Sequence, residues 1–205
     1  MKTNRPELVS LPADRVREAS RVLADAFYDN PSTLSLLPVA EEDRGRKLER
    51  VERGFVDATR RFGDAQVVLD GDAIVGVSLS YAPGRYPPGV SGMARIALGP
   101  VLAGVVPAWR YAQIGAYMKR VHPHEPHFYL FVIGVAPAHQ GRGFGGLLLR
   151  DLAARAERAG VACYLETDTE SNVALYRHHG YEVVRDEQHP RAGDLRMWTM
   201  WRPRA

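Results

Sequence analysis

The spacing of apolar residues predicts several elements in the first half of the chain. "PELVSL" is short and β-prone and predicts a first strand, and the next segment places apolar residues at helical spacing. These residues are Val16, Ala19, Val22, Leu23, Ala26 and Phe27. Residues 41–62 are charged and helical in character, and their "EEDRGRKLERVER" portion predicts a solvated helix face with internal ion pairs. "AQVVLDGDAIVGVSLSYAP" has two apolar runs around Asp-Gly, which predicts an antiparallel hairpin.

The second half alternates between strand and helix patterns. Residues 83–126 are rich in proline and glycine but contain "AWRYAQIGAYMKR", so we expect loops and helices that cover one end of the sheet. "HFYLFVIGV" is apolar on both faces and predicts a central strand. A helix from Phe144 to Ala159 then leads to "VACYLET", a strand parallel to the central one. A short helix from Asn172 to His179 precedes two antiparallel closing strands, "YEVVRDEQ" and "LRMWTMWR", joined through "HPRAGD".

Composition narrows the class of protein. The 205 residues, 45% hydrophobic and 25% charged, predict one globular domain. A net charge of +3 without a long Lys/Arg run predicts no nucleic-acid partner. The apolar stretch "IALGPVLAGVVPAW" is interrupted by Gly99, Pro100 and Gly104 and is shorter than the roughly 20 residues that cross a bilayer, so no membrane partner is expected. The absence of a secretory signal and the single cysteine, Cys163, predict a cytoplasmic protein.

The loop "HQGRGFGG" contains two overlapping glycine patterns. Gly141, Gly143 and Gly146 spell G-x-G-x-x-G, the dinucleotide fingerprint. Gln140, Gly143 and Gly145 spell Q-x-x-G-x-G, a signature of acyl-CoA-dependent N-acyltransferases. Both patterns use the same physics, because backbone N–H groups at a helix N-terminus bind anions and glycines allow close approach.

The surroundings of the loop decide against the dinucleotide pattern. Glu166 does lie where a ribose-binding acid would, 20 residues after Gly146. However, five residues separate Val135 at the strand end from Gly141, whereas the dinucleotide turn is tight. Only 39 residues follow Glu166, too few for the further βα units of that fold, and the upstream Asp-Gly hairpin is antiparallel. No Lys-Ser or Lys-Thr follows the glycines, which excludes a Walker A loop.

"PHFYLFVIGVAPAHQGRGFGGLLL" and "CYLETDTESNVALYRHHGYEVV" resemble the GNAT superfamily of N-acetyltransferases, and within it the members similar to puromycin N-acetyltransferase. The resemblance is densest over residues 126–184, and "LRMWTMWRP" and "ADAFYDNP" fit more loosely. It implies an α/β fold with a mixed, largely antiparallel twisted sheet that is splayed at its centre and flanked by helices. Residues 1–205 would form one domain, with an acceptor-side half at 1–125, a helical insertion at about 83–120 and an acetyl-CoA-binding core at 126–205.

The resemblance also implies acetyl-CoA as co-substrate and assigns residues to it. The pantetheine arm would pair with the backbone of β-strand residues, and the pyrophosphate would lie on the N–H groups of the glycine loop, where Arg142 is free to meet its charge. The complete implied set is Ile133, Val135, Gln140, Gly141, Arg142, Gly143, Phe144, Gly145, Gly146, Asn172 and Tyr176. The i, i+4 spacing of Asn172 and Tyr176 places both side chains on one helix face.

Acetyl transfer needs an uncharged amine, a donor to the developing oxyanion and a proton for the leaving thiolate. The resemblance assigns the oxyanion donor to the N–H near Val135. Tyr176 is the expected general acid, because a phenol of pKa ~10 can protonate a thiolate whose conjugate acid is near ~8.5; the alternative is that it only packs under the next strand. The base stays open between Glu166, His127 and an ordered water chain. Cys163 has no evident base, which favours direct attack in a ternary complex.

The acceptor and the partners are less constrained. We expect a small-molecule primary amine, with a protein or peptide N-acetyltransferase and a non-catalytic acyl-CoA sensor as alternatives. A deep pocket lined by residues 83–119 would favour the small amine, and an open acidic groove would favour a peptide. "HPHEPH" is interpreted as a proline-punctuated loop and not as a metal site. Trp198 and Trp201 fit either a core or a dimer contact, so a monomer and a homodimer both stay open.

Overall fold

The computed structural model describes residues 6–189 and 195–204, so the predicted "HPRAGD" connection lies almost entirely outside the described residues. The described chain forms seven strands and seven α-helices. In chain order they are β1 (Glu7–Ser10), α1 (Val16–Ala26), α2 (Pro31–Leu36), α3 (Glu41–Phe62), β2 (Asp64–Asp70), β3 (Ala73–Tyr81), α4 (Gly89–Ala103), α5 (Val105–Val121), β4 (His127–Val135), α6 (Phe144–Ala159), β5 (Ala162–Thr167), α7 (Glu170–His178), β6 (Glu182–His189) and β7 (Leu195–Arg202).

The strands form one sheet in the order β1-β2-β3-β4-β5-β7-β6. Only the β4–β5 pair is parallel among the described strands, and the other neighbours are antiparallel. The predicted mixed, largely antiparallel sheet with "HFYLFVIGV" at its centre is therefore confirmed. The predicted hairpin is also confirmed, since β2 and β3 join through a tight turn in which Gly71 has φ of 66°, a value that glycine adopts without strain.

Helices cover both faces of the sheet. Ala19 and Leu23 of α1 are fully buried and pack with Val56 of α3 on one face. A Cβ atom on Gly134 of β4 would lie 2.9 Å from Leu23 Cδ2, so α1 rests directly on the central strand. The opposite face is covered by α6, whose Leu152 is fully buried among residues of β4, β5 and β7. These contacts hold β4 in place from both sides.

The region at 83–126 forms the predicted helices, α4 and α5, which are separated at Gly104. Close packing fixes α4 against α3 at two glycines. A Cβ on Gly54 would lie 2.5 Å from Arg95 O, and a Cβ on Gly99 would lie 2.5 Å from Val51 Cα. The backbones of the two helices therefore approach more closely than larger residues would allow. Within the described ranges, no helix is long and apolar enough to span a membrane.

Substitution of Gly99 tests this packing. We expect Gly99→Ala to lower the free energy of unfolding by about 1–3 kcal/mol, because the added methyl group meets the α3 backbone, which cannot rotate away. Gly115→Ala in α5 is the matched control: its Cβ has no neighbour within 4 Å. We expect it to gain about 0.5–1 kcal/mol from helix propensity. Urea denaturation measures both changes in the free energy of unfolding, provided that the variants have the m-value of the wild type. Equal effects of the two substitutions would contradict the close contact between α4 and α3.

Candidate active site

The sheet opens between its two central strands. β4 and β5 pair in parallel from His127 opposite Ala162 to Leu130 opposite Leu165, and no further. Beyond this point β5 pairs only with β7, and β4 pairs only with β3. The β5-facing edge of residues 131–135 is therefore open. This confirms the splay that the sequence predicts at the centre of the sheet.

A β-bulge lies at the residue where the strands part. Leu79 of β3 is opposite Val132, whereas Ser80 is opposite Leu130, so Phe131 is an extra residue in β4. A bulge bends the strand that contains it and increases its twist. The bend at Phe131 therefore directs the end of β4 away from β5.

The backbone groups of the open edge belong to Ile133 and Val135. Ala136 donates its N–H to Val75 O of β3 at 2.9 Å. Because successive residues of a strand present their backbone groups to opposite sides, Ile133 and Val135 present theirs to the gap. Gln140 Nε2 donates to Val135 O at 3.1 Å, which ties the loop to the strand end.

The glycine loop leads from β4 into α6. Gly141 and Gly143 have φ of 75° and 85°, in the left-handed region that favours glycine. The first α6 bond runs from Leu147 N–H to Gly143 O at 3.0 Å, so the N–H groups before Leu147 have no intrahelical partner. Phe144 has its side chain buried against Val68 and other core residues, and offers only its backbone to the loop.

The basic groups near the loop differ from the sequence-based expectation. Arg142 is not free: its Nη2 lies 2.9 Å from Asp70 Oδ2, and its guanidinium lies over the Phe144 ring at 5.0 Å. An anion at the loop would have to compete with Asp70. A Cβ on Gly146 would lie 3.1 Å from Arg150 Nη1 and 3.3 Å from His179 Nε2, so these two side chains also flank the loop. The sequence did not single out Arg150.

A cavity of about 850 Å³ lies beside the open edge. Most of its lining comes from two parts of the fold. The splayed strands and α7 contribute Leu130, Phe131, Val132, Ile133, Leu165, Glu166, Thr167, Asn172 and Tyr176. The helices α3 to α5 contribute Glu52, Phe55, Met93, Ile96, Ala97, Pro100, Val101, Ala108, Tyr111, Ala112, Ile114, Gly115, Ala116, Met118 and Lys119.

Glu166 is placed at the end of β5, facing this cavity. Burial raises the pKa of its carboxyl to about 7, against smaller opposing effects of the Tyr129 and Tyr164 phenols. Both phenols adjoin the carboxyl, and hydrogen bonding to it is the cause of their effect on its pKa. A carboxyl in this state titrates near neutral pH.

Tyr176 and Asn172 lie together in the cavity wall, as their spacing predicts. Tyr176 is buried and packs its ring against Tyr181 at 5.8 Å. Burial, with a contribution from Asp168, raises the pKa of the Tyr176 phenol above its usual value. The hydroxyl is therefore protonated throughout the neutral range.

His127, the other candidate base, lies apart from the cavity. It is buried at the start of β4, its Nδ1 is 2.7 Å from Glu125 O, and its ring stacks edge-on to Tyr164 and Trp201. Burial lowers the pKa of its imidazole. Over the described part of the chain, no cluster of three or more His, Cys, Asp or Glu side chains is arranged to hold a metal ion.

Comparison with known proteins identifies the architecture. A model of the acetyltransferase (GNAT) family matches residues 36–181, more than two thirds of the chain. The chain belongs to this family of enzymes. N-alpha-acetyltransferase RimI of Mycobacterium tuberculosis is 42% identical over 67 residues, which are 33% of this chain and 41% of that relative. The match thus spans less than half the length of the relative.

Solved structures of GNAT proteins share the fold over nearly the whole chain. The crystal structure of histone acetyltransferase HPA2 and related acetyltransferase from Corynebacterium glutamicum is 24% identical, with a TM-score of 0.72 over 98% of this chain and 97% of the other. The polyamine N-acetyltransferase of Drosophila melanogaster is 16% identical, with a TM-score of 0.60 over 96% and 98%. The narrower resemblance to puromycin N-acetyltransferase stays a prediction.

Asp168 is a residue of the GNAT core that the sequence did not single out. It directly follows β5 and accepts hydrogen bonds from Asn30 Nδ2 at 3.2 Å and from the Ser32 N–H at 2.8 Å, and the Ser32 hydroxyl donates to the same carboxylate. Asn30 also caps α2 through its side chain. Asp168 therefore fastens the start of α2 to the end of β5, beside Glu166.

Glu52 is a second residue at the site that the sequence did not single out. Instead of facing solvent, as the charged segment predicts, its side chain is buried and lines the cavity. A signal was present, because Leu48, Glu52 and Phe55 follow the i, i+4, i+7 spacing of a buried helix face. The ion pairs of Asp43 with Arg46 and Lys47 do form on the exposed face of α3.

Removal of the Asp168 carboxylate tests its structural role. We expect Asp168→Ala to lower the free energy of unfolding by about 1.5–3 kcal/mol, because partly buried donors on α2 lose a charged acceptor. Glu170→Ala is the control, since this nearby acid is exposed and its ion pair with Arg196, at 3.5 Å, lies at the surface. Its expected loss is within about 0.5 kcal/mol. Equal losses in chemical denaturation would show that Asp168 does not fasten α2.

Proposed function

We propose that the protein transfers an acetyl group from acetyl-CoA to the primary amine of a small molecule, by direct attack in a ternary complex. One observation carries this proposal: the open edge of β4, Glu166 and Tyr176 share a single cavity that α4 and α5 enclose. Donor, acceptor and proton-transfer groups can therefore meet in one place. The acceptor side comes from residues 1–125, and the acetyl-CoA side from residues 126–205.

The acetyl-CoA side uses backbone groups. The pantetheine arm lies in the gap beside β4 and bonds the Ile133 C=O and the Val135 N–H, as an added strand would. The pyrophosphate lies on the N–H groups of residues 141–146 at the start of α6. Gln140 holds the loop against Val135 O, and Arg142 and Arg150 supply positive charge nearby.

We assign the oxyanion donor to the N–H of Ile133, which differs from the sequence-based expectation of Val135. Ile133 lines the cavity with Glu166 and Tyr176, whereas Val135 lies at the loop end of β4 and is outside the described lining. Ile133 and Val135 are two positions apart in the strand, a distance of about 7 Å. Val135 is better placed to bind the pantetheine arm, while Ile133 is better placed to donate to the thioester oxygen.

Glu166 is the proposed general base. A base works best when its pKa is close to the working pH, and burial brings the pKa of Glu166 to about 7. It faces the cavity, whereas His127 lies at the other end of the paired region and already bonds Glu125 O. Glu166 accepts the amine proton directly or through one water.

Tyr176 is the proposed donor to the leaving sulfur. Its raised pKa favours hydrogen-bond donation that stabilises the developing thiolate over complete proton transfer, and water then supplies the proton. No acetyl-enzyme is involved. Cys163 is buried and burial raises the pKa of its thiol, so it is a poor nucleophile.

The shape of the cavity supports a small acceptor. Its wall includes residues of α4 and α5 from Met93 to Lys119, and most of its lining is apolar. A concave, mostly apolar site that contains a few polar groups is typical of small-molecule binding. The second candidate is a protein N-terminus, which the partial similarity to RimI favours. A peptide acceptor would have to enter between α5 and the end of β5.

Ligand titration tests the assignment of the loop. We expect micromolar binding of acetyl-CoA by calorimetry and no comparable binding of NADH. Gly145→Leu should weaken acetyl-CoA binding by about tenfold or more, because the side chain fills the approach to the α6 N-terminus, while its Cβ meets Val135 Cγ2 at an ordinary 3.8 Å. Ala159→Leu on the exposed last turn of α6 is the control. Binding of NADH without acetyl-CoA would instead support the dinucleotide pattern.

The pH dependence of turnover tests the base. Below a pKa of about 7 Glu166 is protonated and cannot accept a proton, so kcat should fall toward acid with a midpoint near that pH. Glu166→Gln should lower kcat by about 10²–10⁴-fold and remove this acid limb. Glu170→Gln should leave the profile unchanged. An acid limb that persists in Glu166→Gln would assign the base to another group or to water.

A further inference from the structure

Glu52 has no partner that accounts for its burial. Glu52 is only 5% exposed, its Oε2 has no hydrogen-bond partner in the described chain, and no neighbouring charge offsets the effect of burial on its pKa. Burial alone raises the pKa of its carboxyl to about 8. An unpaired buried carboxyl is unfavourable for folding, and an apolar residue of similar size would avoid the desolvation. Its position in the cavity wall offers a reason for its presence.

The surroundings of Glu52 suit a cation. Phe55 lies one turn further along α3, and its ring packs edge-on to Phe131 at 5.2 Å and near Tyr111 at 6.3 Å. These three aromatic residues line the cavity together with Glu52. Aromatic faces and a carboxylate together attract ammonium groups, more strongly where water is excluded.

Glu52 is distinct from the acid at the reaction centre. Glu166 follows Leu165, which pairs with Leu130, whereas Glu52 contacts the cavity from α3 beside Phe55. Between these elements, the Phe55 ring of α3 packs edge-on against the Phe131 ring of β4 at 5.2 Å. The two acids therefore line the cavity from different elements, α3 and the end of β5.

The other charged residues of the lining do not satisfy Glu52. Of the described lining residues, Lys119 and Asp168 are the remaining ones with a formal charge. Lys119 is exposed, and Asp168 is hydrogen-bonded to Asn30 and Ser32. With both glutamates ionised, the cavity is net negative.

We propose that Glu52 is a second recognition site of the acceptor pocket, which binds an ammonium group of the acceptor distant from the amine that reacts. The preferred acceptors are therefore diamines with an apolar or aromatic spacer. This role rests on the proposed acceptor function of the cavity. It adds a specificity residue to the reaction and does not take part in proton transfer.

Matched amines test the proposal. The probes are α,ω-diamines from diaminobutane to diaminodecane, each compared with the n-alkylamine of equal chain length, and the series also measures the distance between the two acids. In the wild-type protein we expect one diamine to bind about tenfold or more tightly than its monoamine, by calorimetry and as a lower KM. No diamine preference at any length would overturn the proposal without any variant.

Substitution assigns the preference to Glu52. Glu52→Gln, of equal size and no charge, should reduce the diamine preference to about twofold or less, and Glu52→Met should do the same. Glu49→Gln should keep it, because Glu49 lies one turn earlier on α3 and pairs at the surface with Arg17 and Arg21. A preference that survives in both Glu52 variants would overturn the proposal. Acetyl-CoA affinity checks that each variant is folded.

Binding and turnover separate this proposal from the general function. If diamines bind through Glu52 but no amine is acetylated, the acetyltransferase proposal fails and the recognition site stands. If amines are acetylated with no diamine preference, the recognition site fails and the acetyltransferase proposal stands. The KM ratio and the calorimetric ratio should change together, whereas a catalytic role of Glu52 would change kcat.

Discussion

The separation of β4 from β5 beyond Leu130 is the constraint on which the site depends. A central strand normally has its backbone groups paired on both sides, and unpaired groups shielded from water are unfavourable. Here the bulge at Phe131 bends β4, while antiparallel pairing with β7 holds the end of β5. The gap is therefore built into the register of the sheet. It presents backbone donors and acceptors at the one place where the cavity wall and the glycine loop meet.

The helices α4 and α5 cover this open edge and so form a pocket. Gly54 and Gly99 let α4 approach the α3 backbone, and α5 then faces the splayed strands across the cavity. Enclosure has an electrostatic consequence, since exclusion of water raises the pKa of Glu166 to about 7 and keeps Tyr176 protonated. The same packing that shapes the acceptor site thus adjusts the protonation of the groups proposed to act there.

The sequence predicts the elements well where a period is strong. The β4 and α6 patterns and the Asp-Gly hairpin match the structure, because each is a local signal. Sequence-based prediction fails where contacts between distant parts of the chain determine the position of a side chain. The pairing of Arg142 with Asp70 joins a loop to a distant hairpin, and Asp168 reaches Asn30 across the fold. Glu52 was hidden by the charges around it, although its spacing from Leu48 and Phe55 marks the buried face of α3.

The two buried carboxyls show how one physical cause can serve two purposes. Burial raises the pKa of both, to about 8 for Glu52 and about 7 for Glu166. Glu166 can exchange a proton near neutral pH beside two phenols, whereas Glu52 lies near Tyr111, whose ring is 6.3 Å from that of Phe55. An ammonium that binds Glu52 must first displace its proton, at about 1.4 kcal/mol per pKa unit. With a pKa of about 8 that cost is about 1.4 kcal/mol at pH 7, and an ammonium group beside the ionised carboxylate in a site that excludes water can offset it, because the attraction between the two charges is stronger there than in water.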